Sequence, residues 1–229
     1  MNIRLIIGIF TAFIIGLTAC KKNDDAPTVI TSIDSLNVIN ASADTVNFYL
    51  NGTRLNASNL YPGGSSGYYT VPSGLQTYQV KNVFNPASSV VKTLFSLPLT
   101  LVPHRYNSLF IGGESASQAF SVIDTLLADT AAGKCYVRFV NASPDGGKLD
   151  FVAGTVKFSG QEFKAASGFK QVDTASLKPI ALYQSGSATP LISGHYPLLA
   201  GKSYTFYSKG KPGGTGNAAF SIGVTINYN

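Results

Sequence analysis

Few side chains in this sequence have the types and spacing that catalysis needs. The two histidines, His104 and His195, each lie near a proline and have no acidic neighbour, which gives little support to a metal ligand or a general base. The two glutamates, Glu114 and Glu162, lie in different halves of the chain, whereas a glycosidase needs paired carboxylates across one cleft. We therefore expect a protein that is not an enzyme and has no cofactor and no metal site.

Two glycine-rich segments also lack the patterns of known catalytic loops. Residues 112–115, Gly-Gly-Glu-Ser, do not form a nucleophile elbow because the glycines are misplaced. Residues 209–214, Lys-Gly-Lys-Pro-Gly-Gly, lack the Lys-Ser/Thr of a phosphate loop, and they predict a hairpin connection instead.

The first twenty residues have the layout of an export signal. Arg4 gives a short positive start, and residues 5–16 are apolar but too few to span a bilayer. Residues 17–20, Leu-Thr-Ala-Cys, resemble the lipobox of bacterial lipoproteins, in which small side chains fit the peptidase and the cysteine sulfur carries diacylglycerol. The resemblance implies that residues 1–19 form a signal peptide and that lipid on Cys20 anchors the protein in a membrane.

Residues 20–33 are largely polar and predict a flexible tether, with a reach of at most ~50 Å from Cys20 to Ser35. The charged residues after Cys20, ending in Asp24 and Asp25, resemble the surface-export signals of Bacteroidetes-type lipoproteins. The resemblance implies an outer-membrane lipoprotein, and both the periplasmic and the outward-facing orientation stay open.

An Asp followed by Ser or Thr and then a small or aliphatic residue occurs five times, which is more often than average composition would give. The pattern resembles the acceptor motif of Bacteroidetes-type protein O-glycosylation. The equally weighted alternative is that Asp-Thr pairs suit strand ends. The first interpretation makes these residues acceptors: Ser35, Thr45, Thr125, Thr130 and Thr174.

Composition indicates a β-rich exported protein without a nucleic-acid partner. Only 12% of the 229 residues are charged, and the formal net charge of +6 comes from scattered rather than clustered Lys and Arg. Once Cys20 is acylated, Cys135 is the one remaining cysteine, and its place in a strand-like run predicts a buried small side chain.

The body of the chain repeats itself at an offset of 98 to 101 residues. Asn-Ala-Ser-Ala-Asp at 40–44 recurs as Asn-Ala-Ser-Pro-Asp at 141–145, and Ala-Phe-Ser-Val at 119–122 recurs as Ala-Phe-Ser-Ile at 219–222. We therefore predict two homologous domains, at 34–130 and 134–229, each large enough to bury its own core.

Alternating apolar residues predict strands throughout both repeats. Val46, Phe48 and Leu50 show the period of a half-buried strand, and Pro-Gly and Gly-Gly turns separate such runs. About seven short strands in each hundred residues predict an all-β protein of two tandem immunoglobulin-like antiparallel β-sandwich domains.

The Asn-Ala-Ser-x-Asp element has a structural interpretation. Its Asn, Ser and Asp side chains can bond to nearby backbone and tighten a turn between strands. A calcium site would draw on Asp44, Asp145 and Asp150, but each repeat supplies too few acids for six to eight oxygen ligands.

A strand Val-Arg-Phe-Val followed by Asn-Ala-Ser-Pro-Asp and another apolar strand resembles the start of the domain-of-unknown-function family 4397. Residues 137–151 carry this resemblance best, and residues 37–48 are a looser copy without the Arg and the Pro. The resemblance implies exported bacterial proteins that often carry the domain in tandem, and it brings no established activity.

Three hypotheses for the function remain. The first is a non-catalytic binding or structural module of the cell envelope, with a glycan, a peptide or a neighbouring envelope protein as partner. The second is a carbohydrate-binding accessory lipoprotein of a glycan-uptake system, which would need exposed aromatic rings clustered on one face. The third, an envelope enzyme, is disfavoured and would need a pocket that joins His104 or His195 to an acid.

Overall fold

The computed structural model describes residues 33–83, 91–125 and 132–227. Cys20, Thr130 and the predicted signal peptide and tether lie outside these described residues, apart from Ile33. Within them the chain forms sixteen strands, two single 3-10 turns and no α-helix, which confirms the predicted all-β class. None of the described residues belongs to a helix long and apolar enough to cross a bilayer.

Each repeat contributes eight strands. In the first repeat they are β1 (Ile33–Asn40), β2 (Val46–Leu50), β3 (Thr53–Arg54), β4 (Ser65–Pro72), β5 (Gly74–Asn82), β6 (Thr93–Leu101), β7 (Tyr106–Ile111) and β8 (Ala119–Asp124). In the second repeat they are β9 (Lys134–Asn141), β10 (Leu149–Ala153), β11 (Val156–Gln161), β12 (Lys170–Asp173), β13 (Ala175–Gln184), β14 (Pro190–Leu198), β15 (Ser203–Lys209) and β16 (Ser221–Asn227).

The strands of each repeat form two four-stranded sheets with the same order. The sheet that faces the other repeat, called the inner sheet, is β4-β1-β7-β8 in the first repeat and β12-β9-β15-β16 in the second. The outer sheets are β3-β2-β5-β6 and β11-β10-β13-β14. The prediction of tandem β-sandwiches is therefore confirmed.

Two strand pairs are parallel, and these pairs give the sandwich its particular strand order. β1 runs parallel to β7, and β9 runs parallel to β15, while the other paired strands of the sheets are antiparallel. Constant immunoglobulin domains instead place their first, second, fourth and fifth strands in one sheet. The layers are thus immunoglobulin-like, and the distribution of strands between them differs.

Each sandwich closes over its own hydrophobic core. Val46, Phe48 and Leu50 all point into the core of the first repeat, as their alternation predicts, and the Phe48 ring stacks on Tyr78 with 4.8 Å between centroids. In the second repeat the ring centroids of Phe151 and Phe206 are 5.0 Å apart. Burial of each such side chain stabilises the fold by roughly 1.5–3 kcal/mol.

A third apolar layer joins the two inner sheets face to face. It consists of six fully buried residues, three from each repeat: Ile39, Ala41, Phe110, Val140, Ala142 and Tyr207. The two sets occupy equivalent positions, because Ile39 pairs with Phe110 across β1 and β7 just as Val140 pairs with Tyr207 across β9 and β15. The contact therefore resembles the symmetric interface of a homodimer.

Gly223 leaves room for the Tyr207 ring in this layer, and the Gly63 carbonyl accepts its hydroxyl. A Cβ at position 223 would lie 2.3 Å from the Tyr207 ring, so only glycine leaves room for the ring on β16. The Tyr207 hydroxyl donates a hydrogen bond to the Gly63 carbonyl of the first repeat at 2.9 Å. Burial raises the pKa of Tyr207, which keeps this donor protonated.

Residues 32–229 form one compact unit, in which the two sandwiches share the layer between the inner sheets. The limits of 34–130 and 134–229 for the two repeats stay a prediction.

Candidate functional site

The turn after β1 is held together by the side chain of Asn40, which is fully buried. Its amide group donates to the carbonyl oxygens of Asp44 at 2.6 Å and Leu60 at 2.8 Å. Its own oxygen accepts the hydroxyl of Ser42 at 2.7 Å. This is the role that the sequence predicts for the Asn-Ala-Ser-x-Asp element, with Asn and Ser bonded to the turn itself.

The equivalent turn after β9 uses Asn141 in the same way. Its amide group donates to the carbonyl oxygens of Gly147 at 2.8 Å and Gln161 at 3.0 Å, and its oxygen accepts the Ser208 hydroxyl at 2.8 Å. The two turns are therefore rigid, and they leave Asp44 half-buried and Asp145 exposed.

An open cleft of about 440 Å³ lies where these two turns meet. It is built from the two turns, the Gly-Gly loop after β7 and the loop between β15 and β16. Its lining residues are Ser42, Ala43, Asp44, Gly112, Gly113, Glu114, Gln118, Pro144, Asp145, Gly210, Lys211 and Ala218.

Direct contacts between the repeats fix the walls of the cleft. The Gly210 amide donates to the Ala41 carbonyl at 3.3 Å. A Cβ at Gly112 would lie 2.5 Å from the Ala142 carbonyl oxygen, so the backbones of the two repeats approach as closely as glycine allows. Within the second repeat, the Ser143 hydroxyl donates to the Gly210 carbonyl at 2.5 Å.

The cleft offers hydrogen-bonding groups of both kinds. Asp44, Glu114 and Asp145 supply carboxylate acceptors, while Lys211 and the Gln118 amide supply donors. Within the described ranges, no group of three or more His, Cys, Asp or Glu side chains could hold a metal ion.

Asp150, the third acid of the calcium interpretation, is used elsewhere. Its carboxylate accepts bonds from Lys157 Nζ and from the Gly160 amide, each at 2.7 Å. Burial opposes its ionisation, but these bonds outweigh burial and lower the pKa of Asp150.

A buried ion pair joins the repeats beside the apolar layer. The Arg138 guanidinium on β9 pairs with the Asp124 carboxylate at the end of β8, and both side chains are almost fully buried. Arg138 also donates to the Thr205 hydroxyl at 2.8 Å and covers the Phe169 ring at 4.7 Å from its centroid.

The second oxygen of Asp124 accepts two hydroxyls of its own repeat, from Tyr68 at 2.5 Å and Ser108 at 2.7 Å. Asn227 of the second repeat donates to the Tyr68 oxygen at 2.9 Å and accepts the Thr205 hydroxyl at 2.6 Å. Burial first and Asp124 second raise the pKa of Tyr68, so the tyrosine remains a donor. This closed network sets how the inner sheets sit on each other.

The histidines lie apart from the cleft. His195 is on the exposed outer sheet of the second repeat, in a shallow depression, and it pairs with Pro179 of β13. His104 shares a depression with Asp34, but the Asp34 carboxylate already accepts the amides of Ser35 and Arg105 and the side chain of Asn107. No hydrogen bond joins the described side chains of His104 and Asp34.

Cys135 is fully buried in the second core, as predicted. Burial raises the pKa of its thiol to about 11, which disfavours the thiolate at neutral pH.

The predicted acceptor residues differ in accessibility. Thr125 is exposed, Ser35 and Thr45 are half-buried, and the half-buried Thr174 donates its hydroxyl to the Gly133 carbonyl at 3.0 Å. Two of the preceding acids, Asp34 and Asp124, have the structural roles given above, which supports the strand-end interpretation at those two places.

Most of the tyrosines that could stack on a ligand are partly or wholly buried. Tyr78, Tyr204 and Tyr207 are fully buried. Among the described residues, Tyr61 and Tyr106 are the exposed large aromatics, with 65% and 41% of their surface accessible, and neither lines the cleft.

Sequence reasoning did not find the cleft. It assigned structural roles to the Asn-Ala-Ser-x-Asp turns, the Gly-Gly loop and the Lys-Gly-Lys loop one at a time. The available signal was that the repeat places equivalent turns at the ends of equivalent strands, so that a symmetric contact brings them together.

Comparison with models of known protein families shows the family of this chain. The profile of a family described as "Domain of unknown function (DUF4397)" matches residues 35–152, which is more than half of the chain. This chain belongs to the DUF4397 family. The DUF4397 match runs from β1 into β10, so it includes the first repeat and the second Asn-Ala-Ser turn. A separate second copy of the DUF4397 domain stays a prediction.

Solved structures with weak similarity to this DUF4397 chain include streptococcal proteins. One, described as a streptococcal virulence factor that binds α-glucan, is 12% identical with a TM-score of 0.27, and the match covers 83% of this chain and 96% of that one. Family 41 carbohydrate-binding modules from streptococcal virulence factors are 12% identical with a TM-score of 0.25, covering 76% and 92%. These scores are too low to support an argument about the ligand. The comparison with curated proteins gave no significant match.

Replacement of Arg138 by Met should strongly destabilise the protein, because it leaves the Asp124 carboxylate buried without its partner. We expect a loss of about 3–5 kcal/mol in the free energy of unfolding, measured by urea denaturation. The double variant Asp124→Leu with Arg138→Met should recover most of this loss. Lys134→Met, which removes a surface pair with Asp173, is the control and should leave the urea midpoint unchanged. An Arg138→Met protein as stable as the wild type would contradict the role given to this pair.

Proposed function

We propose that this protein is a non-catalytic binding module of the bacterial cell envelope, held on the outer membrane by lipid on Cys20. The cleft between the repeated turns is its ligand site, and it is the observation that carries the proposal. Membrane anchoring rests on the lipobox resemblance of residues 17–20.

The lining of the cleft supports binding rather than catalysis. The acids Glu114 and Asp145 are exposed, so their carboxylates stay hydrated and lack the desolvation that prepares a catalytic acid. None of His104, His195 and the described cysteine, Cys135, lines the cleft. The rigid turns present groups that are already positioned, and such preorganisation reduces the entropic cost of binding.

The mixture of carboxylates, an amide, a lysine and open glycine backbone suits a ligand with several hydroxyl or amino groups. A glycan and a polar peptide segment of an envelope protein both have this character. The carbohydrate-binding alternative would therefore use the same cleft, and it would depend on hydrogen bonds because the lining that the structure describes includes no aromatic ring.

Thr125 is the best candidate for O-glycosylation, because its side chain is exposed just after β8. The bonded hydroxyl of Thr174 and the strand position of Ser35 make those two residues poorer acceptors. A glycan at Thr125 would lie far from the cleft, because β8 runs away from it, and it would leave the cleft open.

Fatty-acid labelling of recombinant protein and mass measurement of native protein test the two covalent modifications of this proposal. Full-length protein made in a Gram-negative host and labelled with an alkyne-tagged fatty acid should carry label and sediment with outer membranes. Cys20→Ala should remove both properties. Material from the native organism should add a ladder of glycan masses that Thr125→Ala reduces. Unlabelled wild type in the soluble fraction would contradict lipid anchoring, and a bare peptide mass would contradict glycosylation.

Two double variants, each removing one acid and one lysine, test binding at the cleft. We expect labelled protein without its lipid to bind members of a glycan or envelope-peptide array. Asp145→Asn with Lys211→Met should weaken that binding at least about tenfold, because it removes an acceptor and a cation from the cleft.

The control is Glu162→Gln with Lys148→Met, an exposed ion pair of the same repeat that lies outside the cleft lining. The control should retain affinity within about twofold, as expected for a surface pair. Equal binding by both double variants, or chemical conversion of the bound compound, would contradict the proposal.

A further inference from the structure

The compact unit has two distinct ends. Strands β1 and β9 both end at the cleft, because the next residues, Ala41 and Ala142, pack together there. Eight residues of extended strand span about 26 Å. Ile33 and Lys134, which begin these strands, therefore lie at the far end of the inner sheets. The chain from Cys20 joins the fold at Ile33, so we call this end the tether end.

Strand pairing assigns other segments to the tether end. In the first repeat Ile33 pairs with Pro72, Gly74 with Leu101, and Tyr106 with Asp124. In the second repeat Lys134 pairs with Asp173, and Ala175 pairs with Leu198. The connections next to these pairs, including residues 73–75, 102–105, 174–177 and 199–202, lie at the same end.

Exposed hydrophobic side chains are concentrated at the tether end. Of the ten large ones among the described residues, seven lie there. The first repeat supplies Ile33, Leu75, Val102, Tyr106 and Ile123. The second repeat supplies Leu177 and Leu199. Leu75 and Leu177 are the most exposed of the seven, at 67% and 68%, and their concentration at one end is what marks an interaction surface.

The same end is positively charged. Arg105 lies in one of its connections, Lys178 lies near the start of β13, and Lys134 begins β9. In the described part of the chain, Asp173 is the one exposed acid at this end, and it is bonded to Lys134 at 2.5 Å. Asp34 and Asp124 are also there, but both are buried and engaged. The three exposed acids Glu114, Asp145 and Glu162 lie toward the cleft end, as does the half-buried Asp44.

We infer that the tether end rests on an anionic phospholipid surface, with the leucines in the headgroup region and the basic side chains on lipid phosphates. Apolar side chains combined with Lys and Arg are the features that bind proteins to such interfaces. The cleft then points away from the membrane, toward its ligand. Thr125 follows Asp124 at this same end, so a glycan on Thr125 would hold the surface off the lipid, and the inference applies to protein without a glycan there. The 13 residues from Cys20 to Ile33 span at most about 45 Å, so a lipid anchor on Cys20 would hold the tether end near the membrane. In the cell the inference therefore rests on the proposed anchoring.

Vesicle binding by protein without lipid tests the surface separately from the anchor. Residues 21–229 should co-sediment with vesicles of phosphatidylcholine containing phosphatidylglycerol, and less with phosphatidylcholine alone or at high salt. Leu75→Glu with Leu177→Glu should weaken partitioning at least about tenfold. The control, Val91→Glu with Leu191→Glu, changes two exposed hydrophobics toward the cleft end and should stay within about twofold. Unchanged melting temperatures verify that both variants fold.

A tryptophan reporter measures the orientation directly, since the sequence contains no Trp. In lipidated protein on vesicles, Leu177→Trp should show a blue-shifted emission that brominated lipid quenches, whereas Leu191→Trp should behave as in water. Equal quenching at both positions, or no vesicle binding by residues 21–229, would overturn the inference. Lipid on Cys20 with no vesicle binding by residues 21–229 would keep the anchor and reject the surface, and the reverse result would reject the anchor alone.

Discussion

Asp124 and Arg138 form an ion pair in the layer between the two inner sheets, where neither charge has access to water. Removing two charges from water costs several kcal/mol for each ion, and the pair is tolerated only because other groups satisfy both partners. Tyr68 and Ser108 donate hydrogen bonds to the carboxylate, and the Thr205 hydroxyl and the Ile123 carbonyl accept hydrogen bonds from the guanidinium. A different placement of the sheets would leave these groups unpaired, so the network defines one arrangement. The cleft depends on that arrangement, because its walls come from both repeats.

The apolar part of the same layer is symmetric, and its polar part is not. Ile39 and Val140, Ala41 and Ala142, and Phe110 and Tyr207 are equivalent residues that meet across the layer. Two residues before Ile39 and Val140 on the same strands, Asn37 in the first repeat corresponds to Arg138 in the second. Tyr68 and Phe169 are also equivalent, but Tyr68 donates a hydrogen bond to Asp124, whereas the Phe169 ring stacks under the Arg138 guanidinium. The hydrophobic contact between the repeats thus resembles that of a homodimer. The polar differences favour pairing of the first repeat with the second over pairing of two identical repeats.

Much of the fold could be predicted from the sequence, because its causes are local. Alternation placed Val46, Phe48 and Leu50 in a core, and the side-chain chemistry of Asn40 and Asn141 predicted tight turns. Alternation shows which residues share a sheet face, but it does not show which two faces meet. The sequence therefore gives no sign that Arg138 and Asp124 meet: Arg138 was noticed there only as part of the Val-Arg-Phe-Val resemblance, and Asp124 only as part of a modification motif. The cleft was hidden for the same reason, since Asp44, Glu114, Asp145 and Lys211 come from four separate loops.

The central claim is that the two sandwiches form one structural unit that holds the cleft between them. Differential scanning calorimetry of residues 21–229 tests it most directly. The layer between the inner sheets predicts a single unfolding transition in which the calorimetric enthalpy equals the van't Hoff enthalpy, as for a cooperative domain. Two resolved transitions, or a calorimetric enthalpy about twice the van't Hoff value, would show that the repeats unfold independently and would contradict the account.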